Sequence, residues 1–290
     1  MLFIKAKKEA LTIHQKAVGR YSLIYSTVQK KCELLYITRQ QSVKTIEDIE
    51  RLINSIANTP KEFERTLMQI RTERTKFHET EDYAAEAYKT ALKSGASVAA
   101  SVAASVAGGA AFASMAPTAV MWVATTFGTA STGTAISALS GAAATNAALA
   151  WLGGGTVAIG GAGMAGGKAL LALARPIGWG IAAAATTGSI VAMGAKNKKI
   201  SEKVAAEAKK ITVAVAQLKE TRAVVSKLHN ETELLLCGIK EQFSNAKQME
   251  NVNYSDLSDS EQLQLGALVN NTLSLAEMLN KIVAEVKGAC

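Results

Sequence analysis

Gly133 to Gly167 reads GTAISALSGAAATNAALAWLGGGTVAIGGAGMAGG, a run with no charged residue. It lies inside a longer block, Ser94 to Ala195, whose only charges are Lys168 and Arg175. Half of those 102 residues are glycine (18) or alanine (33), and all three tryptophans fall among them. A block this long and this poor in charge belongs in a bilayer, or in a surface hidden until a bilayer is reached. Working outward, the sequence turns abruptly into charged, helix-patterned arms. The chain therefore divides into an amphipathic arm over 1–93, an apolar region over 94–195 and a second amphipathic arm over 196–290.

The first arm carries a heptad seam. Val18, Tyr21, Tyr25, Val28, Cys32 and Leu35 succeed one another in alternating steps of three and four, and the register resumes at Ile46, Ile49, Ile53 and Ile56. Arg39 and Ser42 occupy the seam between them and mark a point where a bend is expected. Asn58-Thr-Pro-Lys-Glu62 reads as a stop and restart, with Thr59 as N-cap, Pro60 at the first helical position and Glu62 completing a capping box. The next helix presents Phe63, Leu67, Ile70, Phe77, Ala84, Tyr88 and Ala91 on one face.

The second arm has the same character. Ile200, Val204, Ile211, Leu218, Val225, Leu228, Leu235 and Ile239 lie along one stripe. An unbroken helix from Ile200 to Met249 would extend about 75 Å. The polar run Asn251 to Asp256 ends it. Ser258 and Glu261 form a second capping box ahead of a final helix carrying Leu265, Leu268, Leu275, Leu279, Ile282 and Val286. No β pattern occurs in either arm. The fold class expected is all-α: a long antiparallel amphipathic helical bundle with a Gly/Ala-rich hydrophobic helical hairpin region.

Inside the block, Ser97, Ser101 and Ser105 recur every fourth residue and share a helix face. They are candidates to line a polar lumen, or to bond back to their own helix. Pro117 interrupts or kinks the stretch after them, and Gly128 to Gly133 reads as a turn. Four apolar stretches emerge: Gly95 to Ala116, Ile136 to Leu152, Thr156 to Ala174 and Ile177 to Ala195. The last three have the length of a bilayer span at the short end, and Gly95 to Ala116 would be a fourth. Lys196, Lys198 and Lys199 are expected to stop the last one. Bases flank both ends of the block, which places both arms on the cytoplasmic side with an even number of spans between them. Trp122, Trp151 and Trp179 sit near segment ends, where interfacial aromatics belong, and Lys196, Lys198 and Lys199 would meet headgroups.

Small residues recur at four-residue spacing. Gly154 lies in one such row, Gly163 and Gly167 form a GxxxG pair beside Gly166, and Gly180, Ala184, Gly188 and Ala192 make another. Rows of this kind let helix backbones approach closely and associate in lipid. Alanine and glycine also favour insertion far less than the large aliphatics do. Each span is therefore marginal, able to be held in a folded form and released later.

The remaining features narrow the class. The formal net charge is +8, with a pI near 9.3, which suits an anionic membrane surface. The bases are spread along helices with no interleaved aromatics, against nucleic-acid binding. Cys32, Cys237 and Cys290 form neither a CxxC pair nor a disulfide framework, so a reducing compartment is expected. The first residues contain no apolar signal-peptide core, and synthesis in the cytosol followed by action at a membrane is expected. Gly161, Gly163 and Gly166 spell GxGxxG, but no Asp or Glu occurs between Glu86 and Glu202 to hold a ribose. His14, His78 and His229 have no metal-spaced partner. No enzyme activity, metal or cofactor is expected.

The order of long amphipathic helices, Gly/Ala-rich apolar hairpin and long amphipathic helices resembles the α-helical pore-forming toxins of the cytolysin A type. The stretch Gly133 to Gly167 is also similar to Gly/Ala-rich segments of uncharacterised bacterial membrane-active proteins. The first resemblance implies a hydrophobic element masked against a helical bundle, which inserts while protomers assemble into a ring. The expectation is a membrane-inserting, oligomerising, permeabilising protein that meets an anionic bilayer and forms homo-oligomers. The alternative is a membrane-anchored scaffold or tether whose coiled-coil arms bind a protein partner without permeabilising.

Overall fold

The computed structural model describes residues 2–93, 117–128, 130, 134–152 and 190–281. These form six α-helices: α1 (Leu2–Ser55), α2 (Lys61–Lys93), α3 (Pro117–Phe127), α4 (Gly141–Leu152), α5 (Ile190–Ala246) and α6 (Asp259–Asn280), with short 3-10 turns between some of them. No strand occurs among the described residues, and the all-α class holds. The chain separates into two compact units. Unit one is 1–30 with 85–222, and unit two is 31–84 with 223–290. The boundary crosses α1, α2 and α5, so the units cut across the three regions legible in the sequence.

In α1 the buried stripe is longer than the expected seam and partly displaced from it. Ala10, His14, Ala17, Tyr21, Ile24, Val28, Cys32, Leu35, Arg39, Ser42, Ile46, Ile49, Ile53 and Ile56 are buried. Near the N-terminus the stripe runs through Ala17 and Ile24, and the bulkier Val18 and Tyr25 are half-buried beside it. No break in the helix occurs at Arg39 and Ser42. The helix is continuous through both positions: Ser42 donates to the Thr38 carbonyl at 2.8 Å, and Arg39 Nη2 donates to the Lys281 carbonyl at 2.6 Å.

Unit two is built from segments of α1, α2, α5 and α6. Phe63, Leu67, Ile70, Phe77 and Ala84 of α2 are buried, as are Leu265, Leu268, Leu275 and Leu279 of α6. On α5, Leu236 rather than Leu235 takes the buried position. Two connections lie side by side. Ala57 N donates to the Val252 carbonyl at 2.9 Å, and Tyr254 N donates to the Ala57 carbonyl at 2.8 Å, an isolated parallel bridge. Asn58 and Asn251 each hold a left-handed backbone, φ 58° and 61°. Asparagine tolerates that region better than other side-chain-bearing residues. The capping box at Ser258 and Glu261 is formed as expected. At the other connection, α2 begins at Lys61, one residue after Pro60.

Two expectations for the apolar block are corrected. Ile136 to Leu152 is not one helix. Ile136–Ala138 is a 3-10 turn, Leu139 is extended, and Gly141, where α4 begins, has φ 58°. At 12 residues α4 is about 18 Å long, against a hydrocarbon core of about 30 Å. Lys196, Lys198 and Lys199 end the apolar run but not the helix: they lie within α5, which runs from Ile190 to Ala246. Lysine ends an apolar run, yet it is a good helix former. No helix among the described residues is long and apolar enough to cross a membrane. Gly95 to Ala116, Thr156 to Ala174 and Ile177 to Ser189 lie outside the described residues.

Candidate functional site

The described part of the apolar block folds around two tryptophans in unit one. Pro117 opens α3, its fixed φ suited to a first helical turn. Met121, Trp122, Val123 and Ala124 are all fully enclosed, so this turn is buried on every side. A helix apolar all round belongs inside protein or lipid. Phe127 meets the Trp122 ring edge-on, with centroids 5.6 Å apart.

After Phe127 the chain reverses. Gly128 N donates to the Ala124 carbonyl at 2.9 Å, and Ile136 N donates to the Gly128 carbonyl at 3.0 Å. A Cβ at Gly128 would lie 2.7 Å from Ile136 Cδ1 and 3.2 Å from Trp151 Cγ, and would press on the Ala124 carbonyl oxygen. The missing side chain is what lets α4 close over the turn. On α4, Ala144, Thr145, Ala148 and Trp151 form the buried stripe.

Trp151 stands one residue before the end of α4, where the last four carbonyls have no intrahelical partner. Tyr25 supplies one: its hydroxyl donates to the Trp151 carbonyl at 2.9 Å. The two rings meet edge-on at 5.8 Å, and Tyr21 stacks on Tyr25 at 5.8 Å. One hydrogen bond and one ring contact thus fasten the end of the hairpin to α1.

The charge distribution follows the units, not the arms. Unit one holds 18 bases and five acids, net +13, and unit two holds 14 bases and 19 acids, net −5. Unit one, which holds the described part of the apolar block, is therefore strongly basic.

Of the candidate membrane-interface, helix-packing and lumen residues, Trp122 and Trp151 have described side chains. Both are buried in the hairpin core, 1% and 2% exposed, rather than standing at an apolar surface. Ala192, Lys196, Lys198 and Lys199 lie on the first turns of α5. Trp179, Gly154, Gly163, Gly166, Gly167, Gly180, Ala184, Gly188, Ser97, Ser101 and Ser105 lie outside the described residues, as do Gly161 and the rest of its GxGxxG. Sequence reasoning missed Tyr25 as a partner of Trp151, reading it only as a seam residue. It also missed Gly128 as a packing contact.

Ionisable groups in unit two join helices. Glu50 is nearly buried and accepts from Arg71 Nε at 3.1 Å and Arg74 Nη1 at 2.5 Å, tying α1 to α2. Tyr36 donates to Glu81 Oε1 at 2.7 Å; burial, then the bond to Glu81 and its charge, push the phenol well above its usual range. His78 Nδ1 lies 3.1 Å from the other Glu81 oxygen. Burial pushes the Cys32 thiol up to about 12, opposed only in part by the Arg39 charge. Among the described residues no group of three or more His, Cys, Asp or Glu is placed to hold a metal.

No protein-family model, no curated protein and no solved structure matches this chain.

Proposed function

We propose that this protein is a membrane-inserting, oligomerising α-helical protein that permeabilises bilayers. On this reading the arms form a long antiparallel bundle, and the Gly/Ala block forms helical hairpins that unfold from it into lipid. The observation that carries the reading is the 102-residue block with two charges, whose described part belongs to a unit of net charge +13. An apolar, acid-free segment embedded in a basic unit is drawn to anionic headgroups before it meets the acyl chains. The α3–α4 hairpin supports a held form. Its tryptophans are enclosed, and its terminal carbonyl is taken up by one tyrosine of α1. Release would trade that packing for lipid contacts. Small-residue rows at Gly154, Gly163, Gly166, Gly167 and at Gly180, Ala184, Gly188, Ala192 would then pack helices of neighbouring protomers.

The test is leakage of a small dye from anionic liposomes, with a dextran-trapped dye in parallel. Release of the small dye alone is expected, with Gly180→Leu/Gly188→Leu reducing oligomer size and leakage. Vesicles that stay sealed while the protein floats with them would discard permeabilisation.

Such a result would favour the second reading, a membrane-anchored scaffold that binds a protein partner through its arms. Unit two offers surface for that. Leu234 and Leu263 are 77% and 75% exposed. A groove of about 630 Å³ is lined by Glu73, Lys76, Leu235, Glu277, Met278 and Lys281 among others.

A further inference from the structure

An exposed face of α1 in unit one carries a second pattern, beside the buried stripe. Ile13, Lys16, Arg20, Leu23, Thr27 and Lys30 succeed one another in steps of three and four and therefore share a face. Ile13 and Leu23 are 59% and 71% exposed, and Lys16, Arg20 and Lys30 are exposed beside them. Between Glu9 and Glu33 the helix has no acidic residue at all, while it carries Lys16, Arg20, Lys30 and Lys31.

The hydroxyls near this face are turned inward. Thr27 Oγ1 donates to the Leu23 carbonyl at 2.8 Å, and Thr12 Oγ1 to the Lys8 carbonyl at 2.9 Å. Each is spent on its own helix. Gly19 has open space where a Cβ would project. From Ile13 to Lys30 the face is about 26 Å long and carries two exposed aliphatics, Ile13 and Leu23, among three exposed bases.

We propose that this face of α1, from Ile13 to Lys30, is the docking surface by which the basic unit lies down on an anionic bilayer. Ile13 and Leu23 enter the headgroup–acyl boundary, and Lys16, Arg20 and Lys30 meet lipid phosphates. This is the geometry of a helix lying in the interface plane, where apolar burial and electrostatic attraction add. Duplex nucleic acid would use the bases alone and leave Ile13 and Leu23 in water. A lipid surface uses both. The proposal rests on the reading that the protein works at a membrane. It assigns first contact to a surface that the Gly/Ala block does not supply.

The experiment is flotation of the full chain with phosphatidylcholine vesicles, with and without 30% phosphatidylglycerol, and gel shift on duplex DNA in parallel. Three variants are compared: Lys16→Ala/Arg20→Ala, Ile13→Ser/Leu23→Ser, and Lys240→Ala on the exposed surface of unit two. Each basic residue near such a surface contributes about fivefold to partitioning. The double base variant is therefore expected to lose roughly 25-fold on anionic vesicles. The serine variant should also weaken binding, and Lys240→Ala should match the parent. All these side chains are exposed, so helix content and the urea midpoint should not move. If the parent binds and leaks vesicles but the base variant partitions equally well, this face is not the docking surface and the membrane reading survives. A parent that binds no vesicle at low salt overturns both. A parent that ignores vesicles and shifts DNA through Lys16 and Arg20 replaces the lipid with nucleic acid.

Discussion

The Tyr25 hydroxyl donates to the main-chain carbonyl of Trp151 across 126 residues of sequence, at 2.9 Å. It closes a helix end from outside, doing for α4 what a C-terminal cap does locally. Tyr25→Phe keeps the ring contact and removes only the donor. It should cost about 1 kcal/mol, since a part-buried carbonyl loses its partner. The shift is read in urea by tryptophan fluorescence. If Tyr25 restrains the hairpin, the same variant should also release liposome dye at lower protein concentration. Unchanged leakage together with lowered stability would leave Tyr25 a packing residue and no restraint.

Gly128→Ala should loosen the hairpin more. The added methyl meets the Ile136 and Trp151 side chains and the Ala124 carbonyl together, and a backbone oxygen cannot step aside. Overpacking of this kind costs about 1–3 kcal/mol. Trp122 and Trp151 should then become accessible to iodide quenching in the folded protein. Gly19→Ala is the control, because its Cβ would meet nothing.

Glu50 holds two arginines from a nearly buried position, so Glu50→Gln should destabilise unit two by roughly 2 kcal/mol. The loss comes mainly from leaving Arg74 facing a neutral amide. Chemical denaturation measures it. Glu50→Gln/Arg74→Met should recover part of the loss, and a strictly additive double variant would show that the two do not interact.

Glu73 gives stability a dependence on acid. Partial burial works to raise its pKa, but hydrogen bonds from Lys76 and Asn280, with the Lys76 charge, win and hold the carboxyl below its usual 4.5. A group depressed in the folded state stabilises fully above its unfolded value. That contribution is lost as pH falls through the lower folded value. Parent and Glu73→Gln should therefore differ in melting temperature at pH 7 and converge below the ordinary carboxylate range. A constant difference across that range would remove Glu73 from the account.

Cys32 and Cys237 should separate cleanly by reactivity. The Cys32 thiol is buried and pushed up to about 12, which leaves on the order of a thousandfold less thiolate at neutral pH than an unperturbed thiol. Cys237 is exposed. In a Cys290→Ser background one thiol should react rapidly with a disulfide reagent, and the second only after urea. Two equally fast thiols would mean that α1 is not packed as described.

Much of the helical architecture is written locally. The seam from Tyr21 to Ile56, the stop before Pro60, the long helix through Ile200 and the capping box at Ser258 all depend on residues three or four positions apart. Side chains at that spacing touch whatever the rest of the chain does. The Gly/Ala block gave less, because small side chains fix neither a face nor a partner. Apolar length between Ile136 and Leu152 suggested a span, where Gly141 and a turn instead fold it onto Trp122. Only the tertiary structure decided that Ala17 and Ile24 outrank Val18 and Tyr25 on the buried stripe. It alone brought Tyr25 to Trp151. Counted by arms, the chain is mildly basic at both ends. Counted by units it splits into +13 and −5, because α1, α2 and α5 each contribute to both. Periodicity is a short-range property of the chain, and membership of a compact unit is set by contacts more than a hundred residues apart.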